Sequence, residues 1–109
     1  MSNTDSTNSY DLESKLYSYL KDMSSNLPNG SKLVMQALSE KDYNKEDLSL
    51  NARVRRGELN FALNWIEALG FVAFTTSGRQ KLYKLTPLGK IVYSEFHDIF
   101  HSLKEESRD

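Results

Sequence analysis

Seven basic side chains lie between residues 53 and 90, where only Glu58 and Glu67 oppose them. This stretch carries a formal charge of +5, whereas residues 1–52 and 91–109 carry −3 each. The net charge of −1 therefore hides a basic centre between two acidic flanks. Screening limits charge effects to roughly 10 Å at moderate salt, so local charge determines whether this centre attracts a polyanion. The alternative is an ordinary solvated basic face. The basic residues are Arg53, Arg55, Arg56, Arg79, Lys81, Lys84 and Lys90.

Two histidines near the end of the chain have a spacing that suits a metal ion. His97 and His101 are four residues apart, with Asp98 beside them and Glu105 four residues further on. Imidazoles at this spacing on a helix can bind one transition metal. Two histidines are an incomplete ligand set, however, and further ligands would have to come from a second subunit. We therefore expect two helical histidines without a ligand role, and no cofactor.

No pattern of residues indicates catalysis. The chain has no cysteine, which excludes disulfides, thiolate zinc sites, iron–sulfur clusters and cysteine nucleophiles. It also lacks a glycine-rich phosphate loop, and its paired carboxylates, Glu46-Asp47 and Glu105-Glu106, are adjacent in sequence rather than placed across a site. We expect a protein that is not an enzyme.

A length of 109 residues suits one domain. A hydrophobic fraction of 39% is enough for a packed interior. No apolar run approaches the ~20 residues of a membrane span, and residues 1–8 lack the form of a signal peptide. We therefore expect a cytoplasmic protein without a membrane partner, with one domain over residues 9–103.

Helices are predicted over most of the first half of the chain. Residues 1–8 are small and polar, which predicts a disordered start, and residues 9–26 carry apolar side chains at spacings of three and four, which predicts a helix. Ser31 is placed to cap a second helix. A loop is expected over 42–45, followed by a short helix around residues 46–50.

The second half of the chain predicts a helix, a hairpin and a final helix. Apolar stripes run from Gly57 to Leu69, and Gly70 is placed to end that helix in a left-handed conformation. Two strand-like runs, FVAFTT and KLYKLT, flank a turn that contains glycine. Thr86-Pro87 is a strong helix start, which predicts a helix over 87–103 and a solvated tail over 104–109.

This order of elements resembles the winged helix-turn-helix of MarR, ArsR and PadR-like transcription regulators. The resemblance covers residues 31–92, and its most specific parts are the helix end EALGFV and the run LTPLGK after the hairpin. It implies a mainly α fold with a small β-hairpin wing, in which a winged helix-turn-helix core is flanked by N- and C-terminal helices (9–26 and 87–103). One departure is the link SLNARVRRG, which lacks the usual tight turn between the two helices.

The resemblance also implies sequence-specific binding of double-stranded DNA. In this family the start of the second helix enters the major groove, while the wing contacts the sugar-phosphate backbone. Arg56, Asn60 and Asn64 follow at intervals of four and share one helix face, and arginine and asparagine can pair with guanine and adenine edges. The expected DNA-binding residues are Arg53, Arg55, Arg56, Asn60, Asn64, Arg79, Lys81 and Lys84.

Related regulators form two-fold dimers through their terminal helices, so the resemblance implies a homodimer, with repression as the expected mode. Symmetric dimers match palindromic operators. The alternative is that these helices only cover the core of their own subunit. The expected interface residues are Leu12, Leu16, Tyr19, Leu20, Phe96, Ile99, Phe100 and Leu103.

Two other hypotheses remain open at this stage. Phe61 and Trp65 lie on the same helix as the proposed base contacts. If both face solvent, they favour a winged-helix module that binds proteins without binding DNA. Aromatic residues such as Tyr17, Tyr93 and Phe96 could also line a pocket for a small-molecule effector, although aromatic residues at helical spacing more often belong to the core.

Overall fold

The computed structural model describes the backbone of residues 2–102 and the side chains of residues 11–102. The predicted tail over 104–109 lies outside the described residues. The helices and strands follow the order α1 (Ser2–Asn26), α2 (Asn29–Leu38), β1 (Tyr43–Asn44), α3 (Lys45–Ala52), α4 (Arg56–Ala68), β2 (Val72–Ser77), β3 (Gln80–Leu85), α5 (Pro87–Glu95) and α6 (His97–His101). The architecture is mainly α with a small antiparallel sheet, as the sequence predicts.

The first helix begins earlier than expected. The prediction of a disordered start over residues 1–8 is wrong for residues 2–8, because α1 starts at Ser2. Serine, threonine and asparagine cost only about 0.5 kcal/mol each relative to alanine in a helix, so a helix that is already formed can extend through them. In the described part of the chain, no helix is both long and apolar enough to cross a membrane.

The second helix starts before the predicted cap. Its N-cap is Pro28, and the Pro28 carbonyl accepts hydrogen bonds from the backbone N–H groups of Ser31 and Lys32, at 3.0 and 3.2 Å. Ser31 is therefore a fully buried residue inside α2 rather than its cap. Four apolar residues of α2 are buried in the core, namely Val34, Met35, Ala37 and Leu38.

The wing belongs to a three-stranded sheet rather than to an isolated hairpin. The loop expected over 42–45 contains β1, whose residues Tyr43 and Asn44 pair with Tyr83 and Leu82 of β3. The strand order is β1-β3-β2, with all neighbours antiparallel. A two-stranded hairpin is marginally stable alone, and a third strand that ties it to the helices gives it a fixed position.

A tight turn joins α3 to α4, contrary to the prediction from the link SLNARVRRG. Arg53 ends α3 in the left-handed conformation, with φ 61° and ψ 45°, which costs a non-glycine residue roughly 1–2 kcal/mol. Two hydrogen bonds hold this turn. The Ser49 hydroxyl donates to the Val54 carbonyl at 2.6 Å, and the Val54 N–H donates to the Ser49 carbonyl at 3.1 Å. Val54 is also buried, which anchors the turn in the core.

The core lies between α2, α3, α4 and the sheet. Its α4 contribution is Leu59, Ala62, Leu63 and Ile66, all buried on the predicted stripe. Gly70 follows with φ 84°, which confirms the expected left-handed helix end.

The predicted single helix over 87–103 is wrong, because the chain breaks at Phe96. Thr86 caps α5 as expected, since its hydroxyl oxygen accepts a hydrogen bond from the Gly89 N–H at 3.0 Å. Phe96 then leaves the helical region, with φ −111° and ψ 37°. Phe96 and Phe100, on either side of this break, are both buried in the core. The side-chain amide of Gln36 in α2 donates to the carbonyl of Phe100, which fixes α6 against α2.

Candidate nucleic-acid interface

The start of α4 presents the predicted reading face to solvent. Arg56, the first residue of α4, is exposed, as are Asn60 and Asn64 one and two turns later. The buried stripe of the same helix packs against α2, so these three side chains point away from the core. Arg55 occupies the N-cap position and Arg53 the preceding turn, and both are exposed.

The wing carries its cations on two different faces. Register pairs Phe74 with Tyr83 and Thr76 with Lys81, so all four residues share one face of the hairpin. The ammonium group of Lys81 lies 4.4 Å from the centre of the Phe74 ring, a cation–π contact that restricts this long side chain. Lys84 pairs with Ala73 on the opposite face, which separates it from Lys81.

A crevice joins the start of α3, the start of α4 and the wing. Its volume is about 350 Å³. Arg56, Arg79 and Lys81 were predicted as DNA-binding residues from separate parts of the sequence, and the structure brings all three to the wall of this crevice. We call it the basic crevice. Its lining residues are Asn44, Lys45, Glu46, Arg56, Arg79, Gln80, Lys81 and Tyr83.

The charge of the basic crevice is poorly neutralised. It contains four cationic side chains and one carboxylate, that of Glu46. Among the described side chains of residues 11–102, none of these four cations is within 4.0 Å of a carboxylate oxygen. Asn44 connects two walls, because its side-chain amide donates to Gln80 Oε1 at 3.4 Å while its own oxygen caps α3 by accepting from the Asp47 N–H at 2.8 Å. The arrangement can bind an anion.

The floor of the crevice is an uncharged phenol. Burial raises the pKa of Tyr83 above its usual value, and the negative charge of Glu67 raises it further. Tyr83 therefore stays protonated at neutral pH and adds no negative charge below the four cations.

The remaining predicted cations lie elsewhere. Arg53 and Arg55 line a separate hollow of about 550 Å³ with Gly57 and Glu58, and Lys84 lies on the other face of the wing. The predicted set is therefore divided between the basic crevice, a second hollow beside the α3–α4 turn, and the outer face of the wing.

Sequence reasoning missed five members of the crevice, namely Asn44, Lys45, Glu46, Gln80 and Tyr83. Asn44 and Lys45 fall in the stretch predicted as a loop, and nothing in their spacing links them to residues 79–81. The run NKED, an asparagine followed three residues later by an acid, is a helix-start signal. It could have located the start of α3, but not its position next to the wing.

The predicted dimer residues divide into exposed and buried groups. Leu12, Leu16 and Tyr19 of α1 are exposed, and Leu20 and Ile99 are partly buried against the core. Two members of the set are wrong. Phe96 and Phe100, only 6% and 0% exposed, fill the core of their own chain and cannot contact a partner in this conformation. Leu103 lies outside the described residues.

The histidine pair forms an aromatic cluster. The rings of His97 and His101 stack at 4.1 Å, and the Tyr93 hydroxyl lies 2.6 Å from His101 Nε2. Within the residues that the structure describes, no group of three or more histidine, cysteine, aspartate or glutamate side chains is placed to hold a metal ion.

Comparison with solved structures identifies the architecture. The chain is similar to a MarR-family transcriptional regulator from Silicibacter pomeroyi, with a TM-score of 0.65 and 22% identity over 84% of this chain and 68% of the other. It is also similar to the transcriptional regulator HlyU from Vibrio vulnificus, with a TM-score of 0.65 and 15% identity over 84% of this chain and 97% of the other. A third similar structure is the adhesin competence repressor AdcR from Streptococcus pyogenes, with a TM-score of 0.61 and 22% identity over 88% of this chain and 74% of the other.

No family model and no curated protein sequence matches the chain. The structural likeness nevertheless shows that the chain has the winged helix-turn-helix fold, which confirms the predicted fold class.

Proposed function

We propose that this chain is a transcription regulator that binds double-stranded DNA in a sequence-specific manner. The observation that carries the proposal is the basic crevice, where Arg56 at the start of α4 meets Arg79 and Lys81 of the wing. These are the two elements that a winged helix presents to one duplex. Cations that have no described carboxylate partner are available to a polyanion.

The proposed docking places α4 in the major groove and the wing along the backbone. Arg56, Asn60 and Asn64 share the exposed face of α4 and would contact base edges. Arg79 and Lys81 would contact phosphate and sugar. Such contacts fix the position of the protein on the duplex but do not distinguish between base sequences. Arg53, Arg55 and Lys84 lie outside the crevice and would add backbone contacts at its sides.

The alternative of a protein-binding module rests on the two exposed aromatic residues of α4. Phe61 is 55% exposed and Trp65 42% exposed, so an aromatic surface does exist. By helix angle this aromatic surface lies on the solvent side of α4, next to Asn64 and opposite the buried stripe, so it adjoins the polar reading face. DNA binding is favoured because the proteins similar in structure are transcriptional regulators, one of them a repressor. The repressor in that comparison also supports repression as the mode.

Selection of duplexes from a random pool tests this function. The protein is expected to enrich an inverted repeat whose half-sites are centred about 10–10.5 base pairs, or a multiple of that, apart. An Arg56→Ala, Arg79→Ala, Lys81→Ala triple variant is the matched control and should enrich nothing. If the wild-type chain enriches no sequence over successive rounds, sequence-specific binding is rejected.

We further propose a homodimer formed through the exposed face of α1. Leu16 is 52% exposed at the centre of that face, and a glutamate there would place a charge in the interface. Light scattering at tens of micromolar should give twice the chain mass of 12.5 kDa for the wild type, and a Leu16→Glu variant should give a single chain. Leu50→Glu is the control, because Leu50 is 72% exposed on α3. A wild-type monomer would contradict the proposal.

A further inference from the structure

We infer that the basic crevice is a seat for one phosphate group of the DNA backbone, held jointly by α3, α4 and the wing. The inference rests on the proposed function and deepens it. It assigns Lys45 to the site, and it assigns Lys45, Arg79 and Lys81 to a single shared phosphate rather than to separate ones. The start of α4 contributes backbone N–H groups to this seat, while the Arg56 side chain contacts base edges.

The geometry of the crevice supports one shared ligand. Lys45 and Arg56 are the first residues of α3 and α4. Arg79 lies in the wing turn and Lys81 is the second residue of β3, so cations from three elements face one space. The space of about 350 Å³ equals roughly ten water molecules at about 30 Å³ each. That is enough for a phosphate group with part of its hydration shell.

The path of the DNA strand supports a phosphate as the occupant. With α4 in the major groove and the wing beside it at the next groove, one backbone strand has to pass between the two elements. The basic crevice is the space between them. Cationic side chains and backbone N–H groups at helix starts are the usual partners of such phosphates.

Two contacts hold the crevice in shape before any ligand binds. The Phe74 ring holds Lys81 on the inner face of the wing, and the hydrogen bond from Asn44 to Gln80 joins the start of α3 to the wing. A side chain that is already positioned loses less conformational entropy on binding. Glu46 acts in the opposite direction, because its carboxylate faces the same crevice and repels an anion.

A scan with uncharged phosphates tests the seat. Each phosphate of one half-site of a selected duplex is replaced in turn by methylphosphonate, and binding is followed by fluorescence anisotropy. One position should weaken the wild-type complex about tenfold, as expected for loss of hydrogen bonds to a charged group. In the Lys45→Gln and Lys81→Gln variants, replacing that same phosphate should lower the DNA affinity by only about threefold or less. Lys90→Gln, an exposed lysine outside the crevice, should keep the full loss.

The phosphates at which the two lysine variants differ from the wild type show whether the lysines share one phosphate or contact separate ones. If Lys45→Gln and Lys81→Gln reduce the loss at different phosphates, or at none, the seat is overturned while DNA binding stands. Glu46→Gln should strengthen binding to the unmodified duplex about threefold, and the gain should disappear when the seated phosphate is uncharged. Misfolding cannot produce such a gain, so an unchanged or lower affinity of Glu46→Gln also contradicts the seat.

A separate probe distinguishes failure of the seat from failure of the proposed function. If the wild-type chain binds no duplex even at low salt, the proposed function fails, and inorganic pyrophosphate then tests the crevice alone. Its titration should shift the side-chain amide resonances of Asn44 and Gln80, and Lys45→Gln together with Lys81→Gln should abolish the shifts. No shift in the wild type would overturn the seat.

Discussion

Replacing Gly89 by alanine should lower the free energy of unfolding by about 3 kcal/mol, the upper part of the usual range for overpacking. A Cβ atom at this position would lie 2.0 Å from the Phe71 carbonyl oxygen and 2.9 Å from the Phe71 carbonyl carbon. Both are backbone atoms, so no side chain can turn aside. The same carbonyl accepts the Thr86 N–H at 2.9 Å, which means that the first turn of α5 would have to separate from the start of the sheet.

Gly57→Ala is the matched control for this prediction. Gly57 is the second residue of α4, and a Cβ there would meet nothing within 4 Å. Alanine should therefore stabilise the protein by about 0.5–1 kcal/mol through helix propensity. Urea unfolding measures both changes. If Gly89→Ala is as stable as the wild type, α5 does not pack against Phe71 as described.

Arg56→Ala and Arg79→Ala should weaken DNA binding in two different ways. Arg56 begins the reading face of α4, so its loss should cost about 1–3 kcal/mol on the preferred duplex and relax the preference at one base pair. Arg79 lies at the wing turn, so its loss should weaken binding to all sequences to a similar extent. The salt dependence should fall by less than one phosphate, because Lys45 and Lys81 contact the same phosphate.

Competition between the preferred duplex and single-base variants distinguishes the two effects. Lys15→Ala is a suitable control, because Lys15 lies on α1 and pairs only loosely with Asp11, at 4.0 Å. If both arginine variants bind like the wild type, the docking is wrong even for a protein that binds DNA. If Arg79→Ala alters base preference, the wing reads sequence and the division of roles is wrong.

Local signals in the sequence predicted the elements that depend on local chemistry. The Thr86-Pro87 start of α5, the left-handed Gly70 and the buried stripe of α4 each follow from neighbouring residues, and the structure confirms all three. The run LTPLGK also carries information beyond its cap. Its glycine is required because α5 passes within contact of Phe71, a restriction that only the fold reveals.

Features that depend on long-range contacts could not be predicted in this way. β1 is two residues long, and it forms only because β3 pairs with it from about 40 residues further along. Helical periodicity marks Phe96 and Phe100 as apolar but does not distinguish a subunit interface from a core. Only the packing of the whole chain shows that both rings are buried in its own core.

The candidate site shows the same division. The formal charge of residues 53–90 revealed the basic centre, and the family resemblance predicted Arg56, Arg79 and Lys81 as DNA-binding residues. Their convergence on one crevice depends on the three-stranded sheet, which brings the wing next to the start of α3. Lys45 carries no signal of its own, because a lone lysine in an acidic flank is normally a solvated side chain.

Binding of duplex DNA across a salt series is the most direct test of the proposed function. Fluorescence anisotropy should show an affinity that falls steeply as salt rises, with a slope near −0.9 per phosphate neutralised in a plot of log K against log salt. The seated phosphate together with backbone contacts from Arg53, Arg55 and Lys84 would give a slope of about −3 or steeper. No detectable binding at low salt, or an affinity that is independent of salt, would contradict the account and favour a protein partner on the Phe61–Trp65 surface.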